Sequence, residues 1–123
     1  MCRYSAAFEK LLNSATAKNT LYLFTSFIYN DCDESLFNDF LYNLIITHQF
    51  KVYIISGNHD SAERLNFGAE IFKHHNLYIE TFAEKSIAKY SINDEYGTVN
   101  LYMLPYSTPL YTRVKFDATC TTY

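Results

Sequence analysis

Lys51-Val52-Tyr53-Ile54-Ile55-Ser56-Gly57-Asn58-His59-Asp60-Ser61 is the stretch on which the fold turns. Residues 52–55 are apolar, aromatic or β-branched without alternation, the pattern of a strand covered on both faces. Gly57 then permits a backbone turn that a residue with a Cβ would resist. The polar run after it leads into a segment of helical spacing. A buried strand that ends in a polar loop and a helix is half of a βαβ unit.

The flanking sequence repeats this alternation. Upstream, Leu36, Phe37, Phe40, Leu41, Leu44 and Ile45 recur at helical spacing and predict an amphipathic helix ending near His48. Residues 21–29 form another near-continuous apolar run, a second strand of the covered kind. Asp33 stands where it could cap the helix between them. Phe8, Leu11, Leu12 and Ala15 predict a first helix over residues 6–17. Downstream, residues 61–75 predict a third helix with Leu65, Phe67, Ile71 and Phe72 facing inward, and then a short strand at Leu77-Tyr78-Ile79. Residues 85–92 and 98–104 then alternate around Asn93-Asp94-Glu95-Tyr96-Gly97, a hairpin signal. Pro105 stops the second hairpin strand, and Pro109 is expected to keep the next segment irregular. The order α-β-α-β-α-β plus an antiparallel pair predicts a layered α/β fold with parallel core strands.

Composition bounds the rest. The chain has 123 residues, enough for one domain and not two. Twelve Tyr and ten Phe stand against three Gly and two Pro, so long elements and few sharp turns are expected. A net charge of −3 disfavours nucleic-acid binding by charge alone, so contact with DNA would need metal ions or a partner to supply positive charge. Cys2, Cys32 and Cys120 are far apart and odd in number, which argues against a disulfide framework and a structural zinc site. No apolar leader comes after Met1, and no apolar run approaches a membrane span. A soluble, cytoplasmic protein with reduced thiols is expected.

In an open α/β sheet, ligands gather at the carboxyl ends of the strands, where the Gly57 loop lies. Asn58 offers a neutral oxygen to a hard cation. His59 can donate a proton or a hydrogen bond to a phosphate oxygen. Asp60 can orient that imidazole or cap the next helix. The same residues also suit a purely structural turn, with Asp60 or Ser61 as N-cap.

The motif extends through Ser61-Ala62-Glu63-Arg64-Leu65-Asn66-Phe67-Gly68. In this extended form it resembles the third phosphoesterase motif of the SbcD family, nuclease subunits of SbcCD complexes within the calcineurin-like metallophosphoesterases. The resemblance continues through Leu77-Tyr78-Ile79 and through residues 94–106, where Leu104-Pro105-Tyr106 is similar to a family segment. Residues 36–46 fit the helix before the motif, and about residues 20–115 align in all. The resemblance implies a layered α/β/β/α metallophosphoesterase-like domain, of which residues 1–123 are a single, incomplete copy. It implies a two-metal, manganese-dependent DNA exonuclease acting in break repair and recombination, with DNA and an SbcC-like ATPase subunit as partners. Two cations about 4 Å apart would clamp the phosphate and acidify a bridging water. Asn58 would bind one metal, His59 would contact the scissile phosphate, Asp60 would support His59, and Gly57 would make the turn.

Departures from the family pattern limit that expectation. The family's opening Asp-x-His motif has no counterpart in residues 1–19, and its later His motifs lie beyond Tyr123. Phe27 stands where the family places the Asp that bridges both metals, and a benzyl group cannot ligate a cation. Two divalent cations demand several ligands, some of them anionic. Weak or absent manganese binding and no DNA cleavage are therefore expected of this chain. A non-catalytic interaction module on the same scaffold is the alternative. A phosphoesterase for phosphoproteins or nucleotides is a third, disfavoured by the residues after Ser61. The missing first strand would leave an open sheet edge, so a homodimer or poor solubility is expected.

Other residues read blandly. His74-His75 point about 100° apart on a helix and chelate badly, so they, like His48, suit a helix C-terminus. Asp31, Asp33 and Glu34 come after the sheet edge, with Asn30 rather than Asp31 at the family's second acidic position. Arg64 could reach a phosphate, but a pair with a surface acid is the favoured reading. The cysteines have no visible base beside them.

Overall fold

The computed structural model describes residues 20–25 and 34–116. The predicted first helix, the cysteines, Phe27, Asn30, Asp31 and Asp33 lie outside the described residues, and the side chains of residues 20–25, Glu34, Leu36 and Asp94 are likewise not described. Within them the chain is mixed α/β. Strands β1 (Thr20–Thr25), β2 (Lys51–Ser56) and β3 (Leu77–Glu80) form a parallel sheet in the order β1-β2-β3. Strands β4 (Ala88–Asp94) and β5 (Gly97–Met103) form an antiparallel hairpin.

The central strand behaves as its sequence predicts. Val52, Tyr53, Ile54 and Ser56 are all buried. The pleat sends Val52 and Ile54 to one face, in register with Leu77 and Ile79 of β3. There they join Leu44, Phe50 and Ala69 in the hydrophobic core. Helix α1 (Glu34–Tyr42), continued by a π-helical turn (Asn43–Thr47), brings Phe37, Phe40, Leu41 and Ile45 onto the same cluster. Full burial of a side chain such as Ile54 contributes about 1.5–3 kcal/mol. Gln49, at φ 55°, reverses the chain between the π turn and β2, and Phe50 drops into the core behind it.

The opposite face is aromatic. Tyr53 and Tyr78, partners in register, stack with centroids 4.7 Å apart. Tyr90 of β4 meets both rings edge-on, at 5.4 and 4.9 Å. The hairpin therefore packs on the face away from the helices.

Several expectations are corrected. The helix predicted over residues 61–75 is two five-residue pieces, α2 (Ala62–Asn66) and α3 (Ala69–Lys73). Gly68 adopts φ 74°, and this left-handed residue breaks the helical hydrogen-bond run. The break resets the periodicity: Leu65 still packs on the core and Ala69 is buried, but Phe67 is 84% exposed and Ile71 66%. Phe72, also expected inside, is exposed too. Elements are accordingly shorter than the scarcity of Gly and Pro suggested.

The hairpin begins at Ala88 rather than residue 85. Past Pro109 the chain is not irregular but helical, α4 (Pro109–Phe116). Pro109 occupies the first helical position, where a missing N–H costs nothing. Thr108 caps it, its Oγ accepting from the Tyr111 N–H at 3.2 Å. Phe82 stacks on Tyr111, and Lys115 pairs with Glu84 at 2.6 Å.

Candidate functional site

The loop after β2 is built by its own side chains. The Gly57 N–H donates to Asp60 Oδ2 at 2.7 Å, and the Asp60 N–H reaches the Gly57 carbonyl at 3.4 Å. One carboxylate oxygen thus closes the turn from inside. Ser61 caps α2, its Oγ accepting from the Arg64 N–H at 3.5 Å. Of the two residues that could have capped α2, Ser61 is the one that does. Asn58 and His59, between these anchors, are exposed side by side at the tip.

Beneath the loop, Ser56 is 2% exposed and its hydroxyl donates to the Thr81 carbonyl at 2.9 Å. The Ser56 carbonyl accepts from the Tyr106 N–H at 3.0 Å. This brings Leu104-Pro105-Tyr106 to the same strand end as the loop, with Pro105 buried. Residues 50 positions apart in the chain therefore share one edge of the candidate site. Of the residues singled out from sequence, the structure brings Gly57, Asn58, His59 and Asp60 together.

The remaining candidates are apart from the loop or outside the described residues. Phe27 is among the latter, as are Asn30, Asp31 and Asp33; Glu34 opens α1. His74 is the C-cap of α3, and His48 comes just after the π turn, both at helix ends as expected. Arg64 is exposed, and among the described residues its guanidinium forms no ion pair.

A second polar group sits on the aromatic face. The Tyr90 hydroxyl donates to Glu80 Oε1 at 2.7 Å. Lys73 Nζ lies 3.8 Å from that oxygen and 2.8 Å from Glu70 Oε1. Burial, and after it the hydrogen bond to Glu80, pushes the Tyr90 phenol well above its ordinary range. Tyr90 stays protonated, a donor rather than a nucleophile. Thr81, the Tyr90 group and the contact between Ser56 and Tyr106 were not marked by local sequence. Each depends on a partner 10 to 50 positions away.

Chemically, the tip offers an amide oxygen and an imidazole at the end of a buried strand. That pair can hydrogen-bond a phosphate and donate a proton to it. Among the described residues no cluster of three or more His, Cys, Asp or Glu could hold a metal ion. No family model matches the chain.

Proposed function

We propose that the chain is part of an SbcD-like metallophosphoesterase domain and carries its phosphate-facing wall, Gly57 to Asp60, with a metal site too incomplete to cut DNA alone. One observation carries the proposal: Asn58 and His59 stand exposed at the carboxyl end of the central parallel strand, on a turn closed by Asp60. The Leu104-Pro105-Tyr106 segment, also part of the resemblance, meets the same strand end. Helices on one sheet face and a hairpin on the other accord with half of an α/β/β/α layering. In this lineage manganese would be the metal, DNA the substrate and an SbcC-like ATPase the partner. Asn58 would be a metal ligand, His59 the phosphate contact and Asp60 its support.

The test is digestion of linear plasmid ends with manganese present, run on wild type and Asn58→Ala. No metal-dependent loss of DNA is expected from either. Degradation by wild type that Asn58→Ala abolishes would show a complete site and overturn the incompleteness.

A non-catalytic interaction module is the second reading, favoured by exposed apolar residues. Phe67 and Ile71 flank Gly68, and Leu110 and Val114 are 68% and 80% exposed one turn apart on α4. Such a module self-associates or binds a partner through these faces. Size-exclusion chromatography that gives a clean monomer at high concentration counts against it.

A further inference from the structure

We infer that Thr81 is a positioning residue for the Gly57–Asp60 loop, stapling both of its flanks at once. This deepens the proposed function and rests on it for its chemistry, though not for its geometry. Thr81 is 2% exposed and lies just past the end of β3. Its carbonyl accepts the Ser56 hydroxyl at 2.9 Å, on the residue immediately before the loop. Its own hydroxyl donates to Asn66 Oδ1 at 3.2 Å, in the short helix immediately after the loop. The chain leaves the sheet at Ser56 and is in helix by Ala62, so both ends of the excursion are tied to one buried residue.

The physical need for such a staple is clear from the elements. Helix α2 has five residues and is broken off at Gly68, so it has little stability of its own. Its capping bond, from the Arg64 N–H to Ser61 Oγ at 3.5 Å, is long. Within the loop, Asp60 Oδ2 closes the turn on the Gly57 N–H. Thr81 ties both flanks of that turn to the end of the neighbouring strand. Ser56, buried to the same degree, serves the other side, and its carbonyl is held in turn by the Tyr106 N–H. Asn58 and His59 thus project from a turn whose feet are fixed by residues 15 and 25 positions apart in sequence.

The test compares Thr81→Val, which keeps the shape and removes the hydroxyl, with Thr81→Ser, which keeps the hydroxyl. The probes are amide hydrogen exchange at residues 57–64 and the chemical shifts of the His59 ring, both by NMR. Thr81→Val is expected to speed loop exchange roughly three- to tenfold, the factor given by the net worth of one hydrogen bond. It also shifts the His59 ring signals, while those of His48, away from the staple, stay in place. Thr81→Ser restores both. If Thr81→Val does not fold, Asn66→Ala removes the same bond from an exposed position and the same comparison applies. Loop exchange and His59 signals unchanged in a folded Thr81→Val or Asn66→Ala protein would overturn the staple. The readout involves neither metal nor DNA, so that failure would leave the phosphoesterase proposal standing, and the converse holds.

Discussion

Gly68 shows how one residue decides what its neighbours face. At φ 74° it ends α2 and starts α3 in a new phase. A Cβ placed there would come within 3.1 Å of Phe72 Cζ, the far end of a side chain that can swing aside. The left-handed backbone cannot be relieved in that way. Gly68→Ala is therefore expected to lose about 1–2 kcal/mol in urea unfolding, chiefly from the backbone conformation. An unchanged midpoint would mean that the segment has rejoined into one helix. The sequence holds the clue, an isolated Gly inside a helical pattern, yet such a Gly is often tolerated. The loop residues were more legible. Gly57, Asn58, His59 and Asp60 come together because they are consecutive and sit between a buried strand and a helix. Thr81 was not legible, since a threonine just past a short strand carries no local mark.

Elements were legible where the signal was local and uninterrupted. Strand β2 spans Lys51–Ser56 as expected, because an unbroken apolar run bounded by Gly has few alternatives. The hairpin was marked by alternation around Gly97. Helix α4 was missed because Pro109 was read as a breaker, when Thr108-Pro109 is equally a helix start. The contact of β4 with the parallel sheet could not be read at all, since it rests on three tyrosines far apart in the chain. That contact has a titratable test. The Tyr90 hydroxyl donates to Glu80, and burial with that bond holds its pKa above the ordinary 10.0. A raised folded-state pKa adds stability below the unfolded value. That stability is lost as pH rises above about 10, where the unfolded phenol ionises first. Wild type should lose stability more steeply than Tyr90→Phe above that pH, and Tyr90→Phe should be weaker by about 1 kcal/mol at neutral pH. Parallel curves in urea unfolding between about pH 8 and 11 would place Tyr90 outside the packing of the two sheets.

On the scale of the whole molecule, the described residues form a helix-covered parallel sheet with a hairpin on its other face and a polar loop at one strand end. Among them no helix is long and apolar enough to cross a membrane. The α/β class was legible because alternating buried strands and amphipathic helices leave few arrangements. The functional assignment depends instead on four consecutive residues and the segment that meets them. Its most direct test is a manganese titration monitored by NMR, since a paramagnetic ion broadens the signals nearest to it. His59, His48, His74 and His75 are all exposed, so the other three are internal controls for adventitious binding. If the loop is the wall of a metal and phosphate site, Asn58 and His59 broaden first, without saturating at micromolar manganese. If His48, His74 or His75 broadens first while the loop is untouched, the loop is a structural turn and the phosphoesterase assignment fails.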